Sequence, residues 1–179
     1  DGLPYITQRE FGFNPVALGI KRIFDFILSL IGIIVLSPLF FAVGLAISIS
    51  SPGPVFFLQE RVGKNNQTFK MFKFRSMIQN AHELLREDPE FKKLYESYKR
   101  GSYKLKDDPR ITLVGRFIRK HSLDEVPQLV NILRGEMTLV GPRAYYPDEL
   151  REQQKKYPNT RDAVKVVLSV KPGLTGYWQ

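Results

Sequence analysis

Two neighbouring carboxylates stand out as side chains that could do chemistry. Asp124 and Glu125 follow Ser122 in the segment SLDE, and arginines lie close by in sequence, Arg119 before the pair and Arg143 after it. Carboxylate oxygens are ligands that Mg²⁺ prefers, and a guanidinium can grip phosphate oxygens through two parallel hydrogen bonds. The free N–H groups at a helix N-terminus also favour an anion. This combination predicts a site that holds a phosphate group through a divalent ion.

The same segment also has a structural explanation. Ser122 with a glutamate three positions later matches a capping box, in which Ser122 and Glu125 satisfy backbone N–H groups at a helix start. Asp124 would add negative charge where the helix dipole favours it. This interpretation predicts a helix from Ser122 to about Arg134, with Gly135 as its stop. Since SxxE alone is more often a cap than a site, the phosphate hypothesis depends on the surrounding cations.

A hairpin and short helices are predicted to position the carboxylate pair. The segments VFFLQERV and TFKMFKFRSM, separated by GKNNQ, have the aromatic and β-branched content and the turn residues of a β-hairpin. Helices are expected at 78–86, 90–100, 112–120 and 148–157, and a short buried strand at 137–140. The 90–100 helix either packs on the domain or lies in a membrane interface. Together these elements predict an α+β domain.

A long apolar run precedes this domain. Phe26 to Ile49 contains no charged residue, and a straight helix of that length, at about 1.5 Å per residue, would cross a bilayer core of about 30 Å. Pro38 interrupts it, because proline cannot donate to the carbonyl of Ile34, and the Ser37 hydroxyl can bond back to a nearby carbonyl. The run therefore predicts a helix, a break and a second helix, either as a kinked span or as a re-entrant hairpin. Basic residues at both ends mildly favour the hairpin.

Composition and charge restrict the function classes. The chain has 179 residues, no cysteine and two histidines, which excludes a disulfide framework, a thiolate nucleophile and a multi-histidine metal site. A metal ion would have to bind carboxylates, which suits Mg²⁺. The net charge is +9, and all of the excess lies in residues 61–120. A basic segment next to an apolar run favours anionic lipids or phosphate-bearing ligands over nucleic acid.

Several motifs follow one another in a set order along the chain: KRIFDF, an apolar run broken at SP, KFRSM, SLDE with PQL after it, VGPR and PGLTGYWQ. In this order they resemble the monotopic phosphoglycosyl transferases, the bacterial polyprenyl-phosphate hexose-1-phosphate transferases that begin O-antigen, capsule and exopolysaccharide assembly. The resemblance covers residues 21–179. It implies a membrane-associated α+β fold, with a re-entrant helix pair at 21–50 broken at Ser37-Pro38. A small, mostly helical catalytic domain with a β-hairpin would follow at 51–179, and 1–20 would be an arm or linker.

The resemblance also implies a reaction and a place in the cell. The family transfers hexose 1-phosphate from a UDP-hexose to undecaprenyl phosphate and releases UMP, on the cytoplasmic face of the bacterial inner membrane. Asp124 would be the covalent nucleophile, and Glu125 would assist with the metal or with proton transfer. Mg²⁺ is the implied cofactor, with Asp124 and Glu125 as its expected ligands. The expected phosphate-binding residues are Arg119, Arg143, Lys73 and Arg75, although Lys73 and Arg75 could equally form a solvated strand face.

Two features depart from the family pattern. Gln79 and Asn80 stand where some members have an acidic residue, and the chain ends at WQ, where the family usually continues. The non-methionine start leads us to expect a fragment of a longer protein. The alternative from another class is a non-catalytic, membrane-anchored interaction module in which SLDE only caps a helix. The sequence names neither the hexose nor the oligomeric state, and it is compatible with a homo-oligomer.

Overall fold

The computed structural model describes residues 14–81 and 108–177, and within those ranges it has the predicted α+β class. Of the expected helices, 90–100 lies outside the described residues, as does all but the start of 78–86. The helices are α1 (Pro15–Val35), α2 (Ser37–Ser50), α3 (Leu113–Lys120), α4 (Gln128–Arg134), α5 (Pro147–Lys156) and α6 (Arg161–Leu168). The strands are β1 (Phe56–Val62), β2 (Thr68–Phe74), β3 (Thr138–Val140) and β4 (Gly173–Thr175).

The apolar run forms two helices that meet at Leu36 and are bent by 60°. Pro38 lies in the first turn of α2, where its missing N–H costs least, and the Ser37 hydroxyl donates to the carbonyl of Ile34 at 2.8 Å. This is the compensating bond that the sequence predicted. Within the described residues no single helix combines the length and apolar composition of a membrane span, but α1 and α2 do so when taken together across the bend.

The bent pair packs against the domain on one side only. Ile33 and Leu36 contact a core cluster that includes Ile132, and Phe40 contacts a second cluster that includes Ile118. The two clusters join the pair to β2, α3 and α4, so the pair and the domain share one core. The rest of the pair's surface is largely apolar and exposed, and it includes Phe24, Ile31, Ile34, Val35, Phe41 and Ile49.

The predicted hairpin is confirmed, and a second sheet was not foreseen. Strands β1 and β2 pair antiparallel along their full length, with Glu60 opposite Lys70. The turn between them places Asn65 at a positive φ of 56°, which asparagine tolerates better than most residues. Strands β3 and β4 pair parallel, and a Cβ at Gly173 would collide with the backbone of Gly141. The PGLTG segment therefore supplies a strand that needs glycine for close approach.

The segment SLDE does not form the predicted capping box. Ser122 has a left-handed backbone (φ 54°) and its side chain caps no N–H, while Leu123–Glu125 form a 3₁₀ turn. The prediction of a helix from Ser122 is wrong, because α4 begins only at Gln128. Pro127 explains the difference: it cannot donate to a carbonyl four residues earlier, so one continuous helix would lose a bond there. The Glu125 side chain is therefore not used as a cap.

Candidate active site

Asp124 and Glu125 line a cavity of about 1000 Å³ whose walls also include β1, β2 and α3. This volume lies at the upper end of the range for small-molecule sites. Among the described residues that line it, eight are Lys or Arg and three are Asp or Glu. Such an excess of cations over carboxylates creates a positive field that attracts a polyanionic ligand.

Lys73 connects the hairpin to the carboxylate pair. Its ammonium lies 2.9 Å from Glu125 Oε1, and both side chains are mostly buried, at 19% and 25% exposure. The amide of Asn131 holds β2 in place for this contact, since it accepts from the Phe72 N–H at 2.9 Å and donates to the Lys70 carbonyl at 2.8 Å. Glu125 is thereby oriented by a strand more than 50 residues away in sequence.

Asp124 is a half-buried carboxylate whose charge is only partly compensated. Burial is the largest effect and raises its pKa, and the nearby negative charge of Glu125 raises that pKa further. The positive charges of Lys73 and Arg119 lower the pKa, but the net result is a pKa above the ordinary value. No other side chain among the described residues hydrogen-bonds to it. A carboxylate whose charge is poorly satisfied, facing a cationic cavity, is a candidate for chemistry rather than for structure.

The cations of α3 are the most available of those around the cavity. Arg116, Arg119 and Lys120 are exposed, lie at helical spacing on one face and form no ion pair with a described residue. Thr112 starts this helix by accepting from the Gly115 N–H at 2.9 Å, as its predicted position requires. All three were recognisable from the sequence as cations close to the carboxylate pair, but only Arg119 was expected to bind phosphate.

Arg143 also lines the cavity, but its guanidinium is shared with another group. Its Nη2 lies 3.4 Å from Glu149 Oε1, and its side chain is 30% exposed. The guanidinium also lies 5.9 Å from the centre of the Tyr145 ring. Arg143 is thus placed where it can reach a ligand in the cavity while part of its charge is already balanced.

Arg75 lies in the cavity wall, but two of its guanidinium nitrogens are used elsewhere in the fold, so its expected phosphate-binding role stays a prediction. It is buried (7% exposed), and it donates to the carbonyls of Ser51 at 2.7 Å and Pro52 at 2.9 Å. These carbonyls follow the end of α2, so Arg75 ties the hairpin to the exit of the apolar helix pair. A Cβ at Gly53 would collide with its guanidinium. The alternative expectation of a solvated strand face is wrong for Arg75, because its side chain is buried.

Sequence reasoning missed a buried ion pair in the cavity wall. Arg110 is 1% exposed, and its Nε and Nη2 donate to the two carboxylate oxygens of Asp108 at 2.8 and 2.6 Å. Its Nη1 donates to the carbonyl of Ala81 at 2.9 Å. Burial would raise the pKa of Asp108, but the bonds from Arg110 outweigh it and lower that pKa. The segment DPR has the composition of a turn, and nothing local in the sequence reveals that its arginine is buried.

The donor set around Asp124 fits Mg²⁺ only when a substrate completes it. No cluster of three or more His, Cys, Asp or Glu side chains placed to hold a metal occurs in 14–81 or 108–177. Proteins usually bind Mg²⁺ through one or two carboxylates, with waters and substrate phosphates in the other positions. Asp124 and Glu125 provide that number of carboxylates, so the residues present fit a metal that arrives with a phosphate-bearing ligand.

Comparison with known proteins identifies the family. A family model described as bacterial sugar transferase matches residues 16–179. The chain belongs to this family. The resemblance drawn from the sequence motifs is thereby confirmed, and the protein is a transferase rather than a non-catalytic module.

Three relatives show the range of proteins that this sugar transferase is similar to. The exopolysaccharide production protein ExoY of Sinorhizobium fredii is 42% identical over 98% of this chain and 74% of its own length. An undecaprenyl-phosphate galactose phosphotransferase of Salmonella typhimurium is 44% identical over 89% of this chain but 32% of its own length. A UDP-glucose:undecaprenyl-phosphate glucose-1-phosphate transferase of Escherichia coli is 34% identical over the whole chain and 34% of its own length. The chain thus spans about a third of the larger relatives.

Proposed function

We propose that this sugar transferase moves hexose 1-phosphate from a UDP-hexose to undecaprenyl phosphate, in the first membrane step of a bacterial surface polysaccharide. The observation that carries the proposal is the position of Asp124, a poorly compensated carboxylate in a cavity lined mostly by cations. The names of the relatives support the substrates, since they include galactose and glucose phosphotransferases that act on undecaprenyl phosphate. A diphosphate-linked donor matches the positive field of the cavity.

The reaction runs as two displacements at one phosphorus atom. A carboxylate oxygen of Asp124 attacks the sugar-linked phosphorus of the UDP-hexose, and the bond from that phosphorus to the bridging oxygen breaks. UMP leaves with the bridging oxygen and its electron pair, and the hexose phosphate stays on Asp124. An oxygen of undecaprenyl phosphate then attacks the same phosphorus. The aspartyl–phosphorus bond breaks, which yields the lipid diphosphate hexose and restores the Asp124 carboxylate.

Neighbouring side chains prepare Asp124 for this attack. The positive charge of Lys73 counteracts the effect of burial on the pKa of Asp124, which favours the ionised, nucleophilic form at neutral pH. Lys73 also orients Glu125 through their 2.9 Å contact. Arg119 and Arg143 both line the cavity, and their guanidinium groups would hold the diphosphate. Asp124 and Glu125 would hold Mg²⁺ when substrate is present, and the metal would neutralise charge on the diphosphate.

The outer surface of the molecule supports a place at a membrane. Besides the exposed apolar surface of the bent pair, α3 exposes Leu113 (83%) and Phe117 (59%), and α3 packs directly against α2. Apolar patches of this extent are typical of membrane-binding surfaces. Because α3 ends just before the turn that carries Asp124, this surface brings the carboxylate close to a lipid-borne acceptor. We infer a re-entrant pair in the bacterial inner membrane, with the catalytic domain on the cytoplasmic face.

Donor turnover without an acceptor tests the covalent step. The purified protein is incubated with Mg²⁺ and a UDP-hexose labelled in the sugar-linked phosphate, but without undecaprenyl phosphate. We expect about one equivalent of UMP per enzyme and a label on the peptide that contains Asp124. Asp124→Asn is expected to give neither, whereas Asp162→Asn, which removes an exposed carboxylate of α6, is expected to give both.

The result is decisive in either direction. If UMP is released only when undecaprenyl phosphate is present and no peptide is labelled, the hexose phosphate passes directly to the acceptor in one displacement rather than two. Normal turnover by Asp124→Asn would remove Asp124 from the mechanism. Testing each labelled UDP-hexose in turn, with undecaprenyl phosphate present, would then identify the sugar.

A further inference from the structure

Four cations from separate parts of the chain lie close enough for their charges to interact beside the first half of α1. Lys21 and Arg22 belong to α1, Lys64 to the hairpin turn, and Lys171 precedes β4; we call them the α1 cation cluster. Arg22 Nη2 and Lys171 Nζ lie 3.3 and 3.4 Å from the position that a Gly135 Cβ would occupy, so these two charges are close neighbours. None of the four residues lines the cavity that contains Asp124. The cluster is therefore a separate feature of the surface.

The protein compensates only part of this positive charge. Lys21 binds the buried Asp25 at 2.8 Å, and Arg22 donates to the last carbonyls of α4 at 2.5 and 2.9 Å. The side chains of Lys64 and Lys171 form no hydrogen bond or ion pair with a described residue. Lys171 is half-buried, and burial lowers its pKa; Arg22, Lys64 and Lys21 lower it further while Asp25 opposes them. Cations held together in this way favour an anion between them.

The position of the cluster indicates which anion would bind. Lys21 and Arg22 lie shortly before the apolar run, where basic side chains reach the level of lipid headgroups. On the same helix Ile20 and Phe24 are exposed (52% and 60%), which offers a surface for acyl chains beside the cations. Anionic lipids at a membrane surface attract each nearby lysine or arginine by about 1 kcal/mol.

We propose that the α1 cation cluster binds the phosphate of an anionic phospholipid headgroup. Lys64 and Lys171 hold the phosphate oxygens, and the acyl chains lie along the exposed surface of α1. The lipid thereby fastens α1 to the hairpin turn and to the segment before β4. The proposal rests on the membrane placement given under the proposed function, and it is independent of the chemistry of Asp124.

A lipid titration of the purified full-length protein in a neutral detergent tests the site. The temperature of unfolding is followed while short-chain phosphatidylglycerol is added, and we expect a rise that saturates. Lys64→Gln and Lys171→Gln should each raise the half-saturating lipid concentration about fivefold, the equivalent of about 1 kcal/mol. Lys165→Gln removes the same charge from an exposed pair on α6, and it should leave the titration unchanged. Lys64 is exposed, so its replacement should not disturb folding.

Two further ligands and one variant separate the explanations. Short-chain phosphatidylcholine tests whether the negative charge matters, and inorganic phosphate tests whether the acyl chains matter. An equal response to either ligand would overturn the lipid-headgroup site, as would an equal loss in all three lysine variants, which would indicate diffuse surface charge. Asp124→Asn is expected to keep the full lipid response while it loses transferase activity, so failure of the lipid site and failure of the proposed reaction are distinguishable.

Discussion

Two carboxylates in the wall of one cavity are compensated to opposite degrees. Asp108 accepts two side-chain bonds from Arg110, at 2.8 and 2.6 Å, and a third from the Arg110 backbone at 3.1 Å. Asp124 accepts no hydrogen bond from another side chain among the described residues, although Lys73 and Arg119 are near enough to affect its charge. Burial raises the pKa of both groups, but only at Asp108 do the hydrogen bonds outweigh it.

The difference separates a structural carboxylate from a reactive one. Asp108 uses its oxygens to neutralise a buried guanidinium, so little of its charge is left for a ligand. Asp25 in the middle of α1 follows the same pattern, since it accepts from the Thr138 hydroxyl at 2.5 Å and from Lys21 at 2.8 Å. Asp124 keeps its oxygens available, and opposite pKa shifts within one site are how enzymes divide such roles. In this cavity one carboxylate therefore stabilises the wall, and the other is available to react with a ligand.

The largest effect that we expect is a loss of stability when Asp108 is replaced, because its compensated carboxylate then no longer neutralises Arg110. Asp108→Asn leaves Arg110 charged and buried without its partner, which should lower the free energy of unfolding by about 3 kcal/mol or more. Urea or thermal unfolding of the purified protein measures this loss. Asp162→Asn is the matched control, because its pair with Lys165 is exposed and should contribute less than about 1 kcal/mol. Equal losses in the two variants would show that Asp108 is not a structural anchor.

A smaller effect is expected at Lys73, and in activity rather than stability. Lys73→Met removes the charge that counteracts the raised pKa of Asp124 and releases Glu125 from its 2.9 Å contact. We expect kcat/KM to fall about tenfold, the equivalent of about 1.4 kcal/mol. Lys70→Met, on the same strand but exposed, is expected to keep full activity. If both variants lose the same amount of activity, the effect belongs to the hairpin and not to the carboxylate pair.

The parts of the fold with local causes were predictable from sequence. The turn residues of GKNNQ define the hairpin, Pro38 defines the break between α1 and α2, and Thr112 caps α3. Each of these signals acts within about four residues, so no knowledge of the tertiary structure is needed to read it. The carboxylate pair was found for the same reason, since Asp124 and Glu125 adjoin each other and have basic residues close by in sequence.

Most of what the sequence did not reveal depends on contacts between distant segments. Arg75 lies beside Lys73 in sequence, but it binds the carbonyls of Ser51 and Pro52, and nothing in KFRSM reveals this. The SLDE helix failed for a local reason that was overlooked, because Pro127 already excludes a continuous helix through that position. Lys73 and Glu125 meet across 52 residues, so their pairing follows from the fold alone.

The smallest expected effect is the most diagnostic, because it differs in sign between the two carboxylates. The pKa of Asp108 is lowered below 3.8 by folding, so its stabilisation is present above that value and is lost as the pH falls through its folded-state pKa. The pKa of Asp124 is raised above 3.8 by folding. Between 3.8 and the raised pKa the folded state therefore binds more protons than the unfolded state, and the protein loses stability as the pH rises through this range. The stability deficit of Asp108→Asn should therefore shrink on acidification.

Asp124→Asn should behave in the opposite way, gaining stability relative to the parent protein as the pH rises above 3.8. Thermal unfolding of both variants and the parent over a series of buffers measures the two difference curves, from which other titrating groups cancel. The transferase activity of the parent should fall on acidification through the raised pKa, because a protonated carboxyl is not a nucleophile. Difference curves that slope the same way would make Asp124 another compensated carboxylate, and the assignment of the nucleophile would then lose its physical basis.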